Sequence, residues 1–392
     1  MRIENDYDTC VENLLSEADD KTIFLSNWNK SEEILDFPDN LIARAVNQFD
    51  TYKNFYVFSD ELEEVKRKNA FHFTDGSFTI DASQFAVITN GTSGTYLALN
   101  AIRKKVKHIR ALLISPVYFT YIRVLQDFHA DMFYLQANIK SDDLLSMDIL
   151  EKEILKNDIN LLIINDPLFG SGLSLPLKLY EQIGDVCEKY KSFFLIDYIY
   201  GGMEWSQSTE LQNYPLIQFT VQRKRVILVE SLCKRVFLNG IKSSTVFSSS
   251  EIIADIEKSA TSITGSMTYV QLEMFKELYK NENSNMIKEI ISKTKKYCSE
   301  TYELVQRLIR DTGFDLLTCR SGNFCIMGIP KNILKFSGIE AAVKILKDTN
   351  VLVLPHDRYL LLSDDFFYFR INMAMEHSLI RYGIVNLLEK YN

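Results

Sequence analysis

"VILVESLCKRVFLNGIKSS", residues 226–244, opens with four consecutive apolar residues, then delivers Glu230, Ser231 and a lysine, Lys234, with a second lysine, Lys242, further on. A run that is apolar at every position suits a strand buried on both faces, as in a parallel sheet lying under helices. Four similar runs precede it: FAVIT (85–89), ALLIS (111–115), LLIIN (161–165) and FFLID (193–197). Between them SGTYLALNAIRKKVKH (93–108) and LPLKLYEQIGDVCEKYK (175–191) carry apolar residues at helical spacing. Strand and helix in alternation predict a doubly wound α/β domain. A lysine is normally kept in water, so Lys234, placed just past a buried strand, needs a reason.

The 392 residues suggest a large and a smaller domain. From about residue 284 the pattern changes to a long charged helix (283–311), a strand-like stretch (314–330), a helix near 338–348, strands VLVLP (351–355) and FYFRINMA (367–374), and a closing helix (378–391). The expected division is an N-terminal segment 1–48 packing with the small domain, a large α/β domain 49–280, and a small α+β domain 281–392. Net charge −8 argues against general affinity for nucleic acid or anionic membrane. No apolar run approaches the ~18 residues of a membrane span, and the polar, acidic opening does not read as a secretory signal. The six cysteines (Cys10, Cys187, Cys233, Cys298, Cys319, Cys325) are scattered and read as reduced thiols of a cytoplasmic protein. No metal-ligand spacing occurs among them or the five histidines, so no metal is expected.

Three loops then carry chemistry. In TNGTSGTYLAL (89–99) a strand turns directly into a helix, whose free N–H groups and positive dipole end make an anion site with Gly91, Thr92 and Ser93; the plainer reading is an N-cap. In FFLIDYIYGG (193–202), Asp197 sits at the C-terminal end of an apolar strand, where open α/β sheets bind ligands, and Tyr200 follows. Lys234, held where burial disfavours its charge, is an amine able to attack a carbonyl. An anion cradle, a carboxylate, a phenol and an imine-forming amine are the four partners pyridoxal phosphate needs.

In that order the chain resembles the fold-type I pyridoxal-phosphate enzymes, and within them the class I/II aminotransferases, from about residue 50 to the end. The resemblance implies a three-layer fold, with a mostly parallel sheet in the large domain and a smaller α+β domain. It implies pyridoxal 5'-phosphate with its phosphate at Gly91, Thr92, Ser93, Ser231 and Lys242. Tyr118, in SPVYFTYIRVL (115–125), would stack on the ring. Asp197 would pair with the pyridine nitrogen, Tyr200 with the phenolic oxygen, and Lys234 would be the Schiff-base lysine and proton carrier. Arg370, in FYFRINMA, is similar to the arginine that grips the substrate carboxylate. TYKNFYVFSDELEEVKRK (51–68) resembles the segment that carries a tyrosine, here Tyr56, to a partner subunit's phosphate, implying a homodimer with a shared site. Trp28, in LSNWNK, would line the substrate pocket; a plain packing role is the alternative for both.

Three departures from the family pattern stand out. Lys242 replaces the usual arginine and loses its two-pronged grip on phosphate. DPLFGSG (166–172) replaces N-P-x-N-P-T-G, which puts Phe169 where an asparagine normally donates to the phenolic oxygen; a slipped register offers Asn165 instead. Cys233 replaces a serine and packs much as one would. The expected activity is transfer of an amino group from an α-amino acid to a 2-oxo acid. A non-transaminating enzyme of the same fold (lyase, decarboxylase, cyclase or oxidase) is the alternative, and a non-catalytic pyridoxal-phosphate protein is a third.

Overall fold

The computed structural model describes residues 12, 14–16, 18–52, 54–141, 143–263, 265 and 267–392. Cys10 and the rest of residues 1–11 of the expected N-terminal segment lie outside the described residues. In chain order the strands are β1 (Ile23–Phe24), β2 (Phe85–Ile88), β3 (Arg110–Ser115), β4 (Asp131–Gln136), β5 (Leu161–Asn165), β6 (Phe193–Tyr198), β7 (Val226–Glu230), β8 (Ser244–Phe247), β9 (Asp315–Leu316), β10 (Phe324–Pro330), β11 (Val351–Leu352) and β12 (Phe366–Asn372).

Seven of them form one sheet in the order β2-β8-β7-β6-β5-β3-β4. The pairs β3–β4, β3–β5, β5–β6 and β6–β7 are parallel; β8 runs antiparallel to both β7 and β2. Every residue of β5, β6 and β7 is buried, which is why these runs are apolar throughout: helices cover both faces. On one face Leu162, Ile164, Phe194, Ile196 and Leu228 join a core with Ile183 and Phe275; on the other Leu161, Ile163, Leu195, Ile227 and Val229 pack against Leu97, Ile102 and Ile253. Successive side chains along each strand point to opposite faces, so each strand feeds both cores.

A second sheet, β12-β10-β9, is antiparallel, with Ile326 opposite Arg370 and Cys325 opposite Ile371. Its core includes Met327, Phe369 and Ile371, with Ile345, Ile380 and Ile384 from the helices Gly338–Thr349 and His377–Tyr391. The helix Asn281–Ile309 serves both cores. Ile287, Ile290 and Ile291 belong to the larger one, while Cys298, Val305 and Ile309 belong to the smaller.

The N-terminal segment divides its contacts. β1 pairs with β11, and Ser26 and Asn27 hydrogen-bond to β12 through the Arg370 carbonyl (2.6 Å) and the Asn372 side chain (2.9 Å). The helix Asp39–Tyr52 instead turns Leu41 and Ala45 into the larger core, and Arg44 pairs with Glu277 at 2.9 Å. Leu41 and Ala45, four apart, form one apolar stripe on the helix, and that stripe faces this core. Among the described residues no helix is long and apolar enough to cross a membrane. All five described cysteines are free and buried.

Candidate active site

The C-terminal ends of β5, β6 and β7 and the start of the helix Gly91–Lys105 meet at one cavity of about 390 Å³, a size ordinary for a small-molecule site. This edge is where open α/β sheets bind their ligands. Gly91, Thr92, Asp197, Tyr200, Ser231, Lys234 and Lys242 all line it. So do Trp28, Tyr118, Asn165 and Phe169.

At one end stands the helix start. Asn90 caps it, its side-chain oxygen accepting from Ser93 N at 2.9 Å, and Gly94 N donates to the Asn90 carbonyl at 3.0 Å. The Gly91 and Thr92 amides are left as the helix's unused donors at the cavity wall. Ser93 sits one step back, its hydroxyl accepting from Thr89, and is not on the wall. Ile199 packs closely on Gly91: a Cβ there would stand 2.1 Å from Ile199 Cδ1, so that side chain would have to shift. Opposite, Ser231 donates to the Ser243 carbonyl at 2.7 Å. The Ser244 hydroxyl, buried on the same wall, has no partner. Lys242 adopts φ 57°, and its side chain is exposed. Gln271 holds the two sides together, donating to the Thr89 carbonyl at 3.1 Å and the Lys242 carbonyl at 3.2 Å.

In the middle, the buried Asp197 carboxylate accepts from Asn165 Nδ2 at 2.6 Å and Ile199 N at 3.2 Å. Asn165 is itself oriented by Tyr118 N, which donates to its Oδ1 at 2.9 Å. Burial pushes the Asp197 carboxyl up to about 6, against these hydrogen bonds. Tyr200 is likewise pushed above its usual range by burial.

Lys234 Nζ donates to Asn239 Oδ1 at 2.9 Å. Burial and, after it, the charge of Lys242 hold its ammonium below the usual lysine range. Its segment is pinned behind by a buried ion pair, Arg235 Nη2 to Glu230 Oε2 at 3.1 Å, with Tyr279 donating to Glu230 at 3.0 Å. Cys233 is buried, its thiol pushed up to about 12 by desolvation.

Arg370 is not on the cavity wall. It lies behind the aromatic residues at the far end, fully buried, with Nη2 donating to the Ser26 carbonyl at 3.0 Å and Nε and Nη1 without partners. Rings surround it: Trp28 at 3.9 Å from the guanidinium carbon, Phe324 at 4.9 Å, Phe169 at 5.8 Å and Tyr359 at 6.0 Å. Phe169 also packs on Tyr118 (5.1 Å) and Tyr359 (4.6 Å). Tyr56 is elsewhere, 73% exposed on the wall of a separate groove with Phe58 and Met267.

Asn239, Ser244, Gln271 and the Glu230–Arg235 pair were not legible as site residues. Only the Asn-Gly at 239–240, close behind Lys234, offered a hint, through its turn chemistry.

The residues fit pyridoxal phosphate. A buried carboxylate, an amine whose ammonium is held below its usual range, and an unpartnered hydroxyl beside free helix amides share one cavity, and a buried guanidinium with two idle nitrogens lies behind its aromatic end.

Comparison with known proteins agrees. Residues 27–387 match the aminotransferase class I and II family. An aspartate aminotransferase from Pyrococcus horikoshii is 23% identical over 280 residues, 71% of this chain and 68% of the relative. A (5-formylfuran-3-yl)methyl phosphate transaminase from Methanocaldococcus jannaschii is 23% identical over 363 residues, 91% and 88% of the two chains. Among solved structures, a Thermus thermophilus aspartate aminotransferase variant superposes with TM-score 0.83 at 14% identity, covering 99% of this chain and 97% of that one. This chain therefore belongs to the aminotransferase class I and II family, and its activity is amino-group transfer.

Proposed function

We propose that this aminotransferase holds pyridoxal 5'-phosphate in the cavity described and works through Lys234, with an α-amino acid as donor and a 2-oxo acid as acceptor. The observation that carries this reading is that Lys234 Nζ and the buried Asp197 carboxylate face one cavity whose end is a capped helix N-terminus. The Gly91 and Thr92 amides, the Ser231 and Ser244 hydroxyls and Lys242 would hold the phosphate. Tyr118 would lie on the ring, and Asp197 would keep a proton at the ring nitrogen. Phe169 has no donor to offer and the Asn165 amide already donates to Asp197, so Tyr200 would be the hydroxyl donor to the phenolic oxygen.

Bound there, the cofactor supplies an electron sink for the charge left when the substrate's α-proton departs. The chain's own groups do the rest. Arg370 anchors the α-carboxylate through its idle nitrogens. Lys234, kept readily deprotonated by burial and Lys242, takes the α-proton on Nζ and later returns it. Asn239 holds that amine between turns. The aromatic wall excludes water from the proton transfer.

The second part of the reading is assembly. Phe55, Tyr56 and Phe58 are 66%, 73% and 63% exposed in one short stretch. So many exposed rings side by side mark a surface that another chain covers, and a homodimer in which Tyr56 reaches the partner's phosphate site accounts for them.

The test is to load the protein with pyridoxal phosphate, reduce it with borohydride and locate the adduct by peptide mass. An adduct on Lys234, lost in Lys234→Ala, supports the assignment; an adduct on another lysine ends it.

A further inference from the structure

We infer that the amino donor is a neutral amino acid with an apolar, ring-bearing side chain, selected by Phe169 and Trp28. This rests on the reading of Arg370 as the carboxylate anchor.

A substrate with two carboxylates needs two cationic anchors, and the site offers one for that purpose, Arg370 behind the aromatic end of the cavity. Among the described residues, Lys234 and Lys242 are the cations on its wall. Lys234 is committed to the amine chemistry. Lys242 stands at the opposite end, tied through Gln271 to Thr89 beside the helix start. Arg358 stacks on Phe119 at 4.0 Å but does not reach the wall. His356 lies behind Phe169, its Nε2 against the Phe169 carbonyl at 2.9 Å, and burial keeps its imidazole neutral, with the pKa pushed down to about 3.

Once Arg370 has taken the α-carboxylate, the side chain meets rings. Trp28 and Phe324 meet edge to face at 4.9 Å, Trp28 and Tyr200 stack at 6.5 Å, and Phe169 bridges Tyr118 and Tyr359. A second carboxylate placed there would shed its water with no cation to receive it. An aromatic or aliphatic side chain would gain burial and, if aromatic, ring contacts as well. Phe169 makes the difference twice: it removes an amide from the site and adds a ring to the wall.

The experiment is the half-reaction of the cofactor-loaded enzyme, without 2-oxo acid, followed by visible absorbance and by the 2-oxo acid formed. Phenylalanine, tyrosine, leucine and methionine are compared with aspartate and glutamate. The best neutral donor should exceed both acidic ones in second-order rate constant by about a hundredfold or more. Aspartate or glutamate reacting as well as the neutral donors overturns the inference, whether a partner copy or a rearranged arginine supplies the second cation. No conversion by any of the six overturns this inference, and the Lys234 adduct test then decides separately whether the site is the one proposed.

Phe169→Leu should cost phenylalanine and tyrosine about tenfold while leaving leucine nearly unchanged; an unaltered ring preference removes Phe169 from the assignment. A readout without turnover uses Trp205→Phe, which leaves Trp28 as the sole tryptophan of two. Its emission should respond to 3-phenylpropionate at far lower concentration than to succinate. Equal responses would contradict the inference even if the Phe169 variant failed to fold.

Discussion

Two buried charges, one in the middle of the site and one behind its far end, are treated in opposite ways. Asp197 has its hydrogen-bond partners supplied by the protein itself: an amide side chain at 2.6 Å and a backbone N–H at 3.2 Å. Arg370, just as deeply buried, is given one carbonyl at 3.0 Å and four rings, and two of its nitrogens have nothing. A buried charge without partners is expensive. On the function proposed above, the contrast separates a group set for a long-term resident from a group waiting for a ligand that comes and goes. On that reading Asp197 stays in place through every turnover, whereas Arg370 releases what it binds.

The largest effect that would break this contrast is expected at Arg370. Arg370→Met should lower kcat/KM for the donor on the order of a thousandfold, the usual cost of removing one side of a buried charge pair. Yet the melting temperature of the protein should stay level or rise, because no carboxylate loses a partner. A marked fall in melting temperature in calorimetry would mean that Arg370 is a structural cation.

Asp197→Asn comes next. Burial raises its carboxyl from 3.8 to about 6, so between those values the folded protein keeps a proton that the unfolded chain has shed. Raising the pH through that window therefore removes stability from the cofactor-free protein, about 3 kcal/mol once Asp197 is fully ionised. Denaturation from pH 4 to 7 should show this loss in the parent and not in the variant. Cofactor affinity should move the other way, strengthening in the parent as pH rises through about 6, because the ionised carboxylate is the form that pairs with a protonated ring nitrogen. Parallel pH profiles of parent and variant would refute the assignment of the titration to Asp197.

A smaller change sharpens the same point. Asn165→Leu removes one donor to the carboxylate, and the midpoint of cofactor binding should rise by about one pH unit. A cofactor titration across pH 5–8 would register it; an unmoved midpoint would mean that the Ile199 amide and the Tyr121 hydroxyl suffice. The smallest effect is expected at Lys242→Arg, a few-fold gain in cofactor affinity from a forked donor facing phosphate. Weaker binding by equilibrium dialysis would show that the exposed Lys242 acts through its position rather than its charge.

Much of the fold was legible because continuous apolar runs have one common cause, burial between two helical layers. β5 and β7 fall where LLIIN and VILVE stand. Two strands of the seven-stranded sheet escaped. β4, at the sheet edge, is partly exposed along its length and does not read as a buried run. β8 begins with Ser244 and Thr245, polar residues whose burial comes from neighbours far away in sequence. The N-terminal segment is a similar case: its 39–48 part carries a helical stripe, but nothing local says which core the stripe will join.

At the site, Lys234, Asp197, Tyr200 and the glycine-bearing helix start could be named from residue type, strand ends and order along the chain. Those features are set by short-range chemistry. Which loop residues face the cavity could not be named so, and Ser93 and Thr92 show why. The Asn90 cap takes the Ser93 amide and leaves its neighbours free. That Asn165 would serve Asp197 depended on the register of β5 against β6, which pairs the two residues. That Arg370 would be left idle among rings depended on Trp28, Phe169, Phe324 and Tyr359 arriving from four separate parts of the chain. The sequence by itself determined the buried strands and the amine, acid and anion cradle at their ends, because a strand's burial and a helix's free amides are local properties. Only the tertiary structure decided which buried polar atoms were satisfied and which were left for a ligand, because that balance is struck between residues hundreds of positions apart.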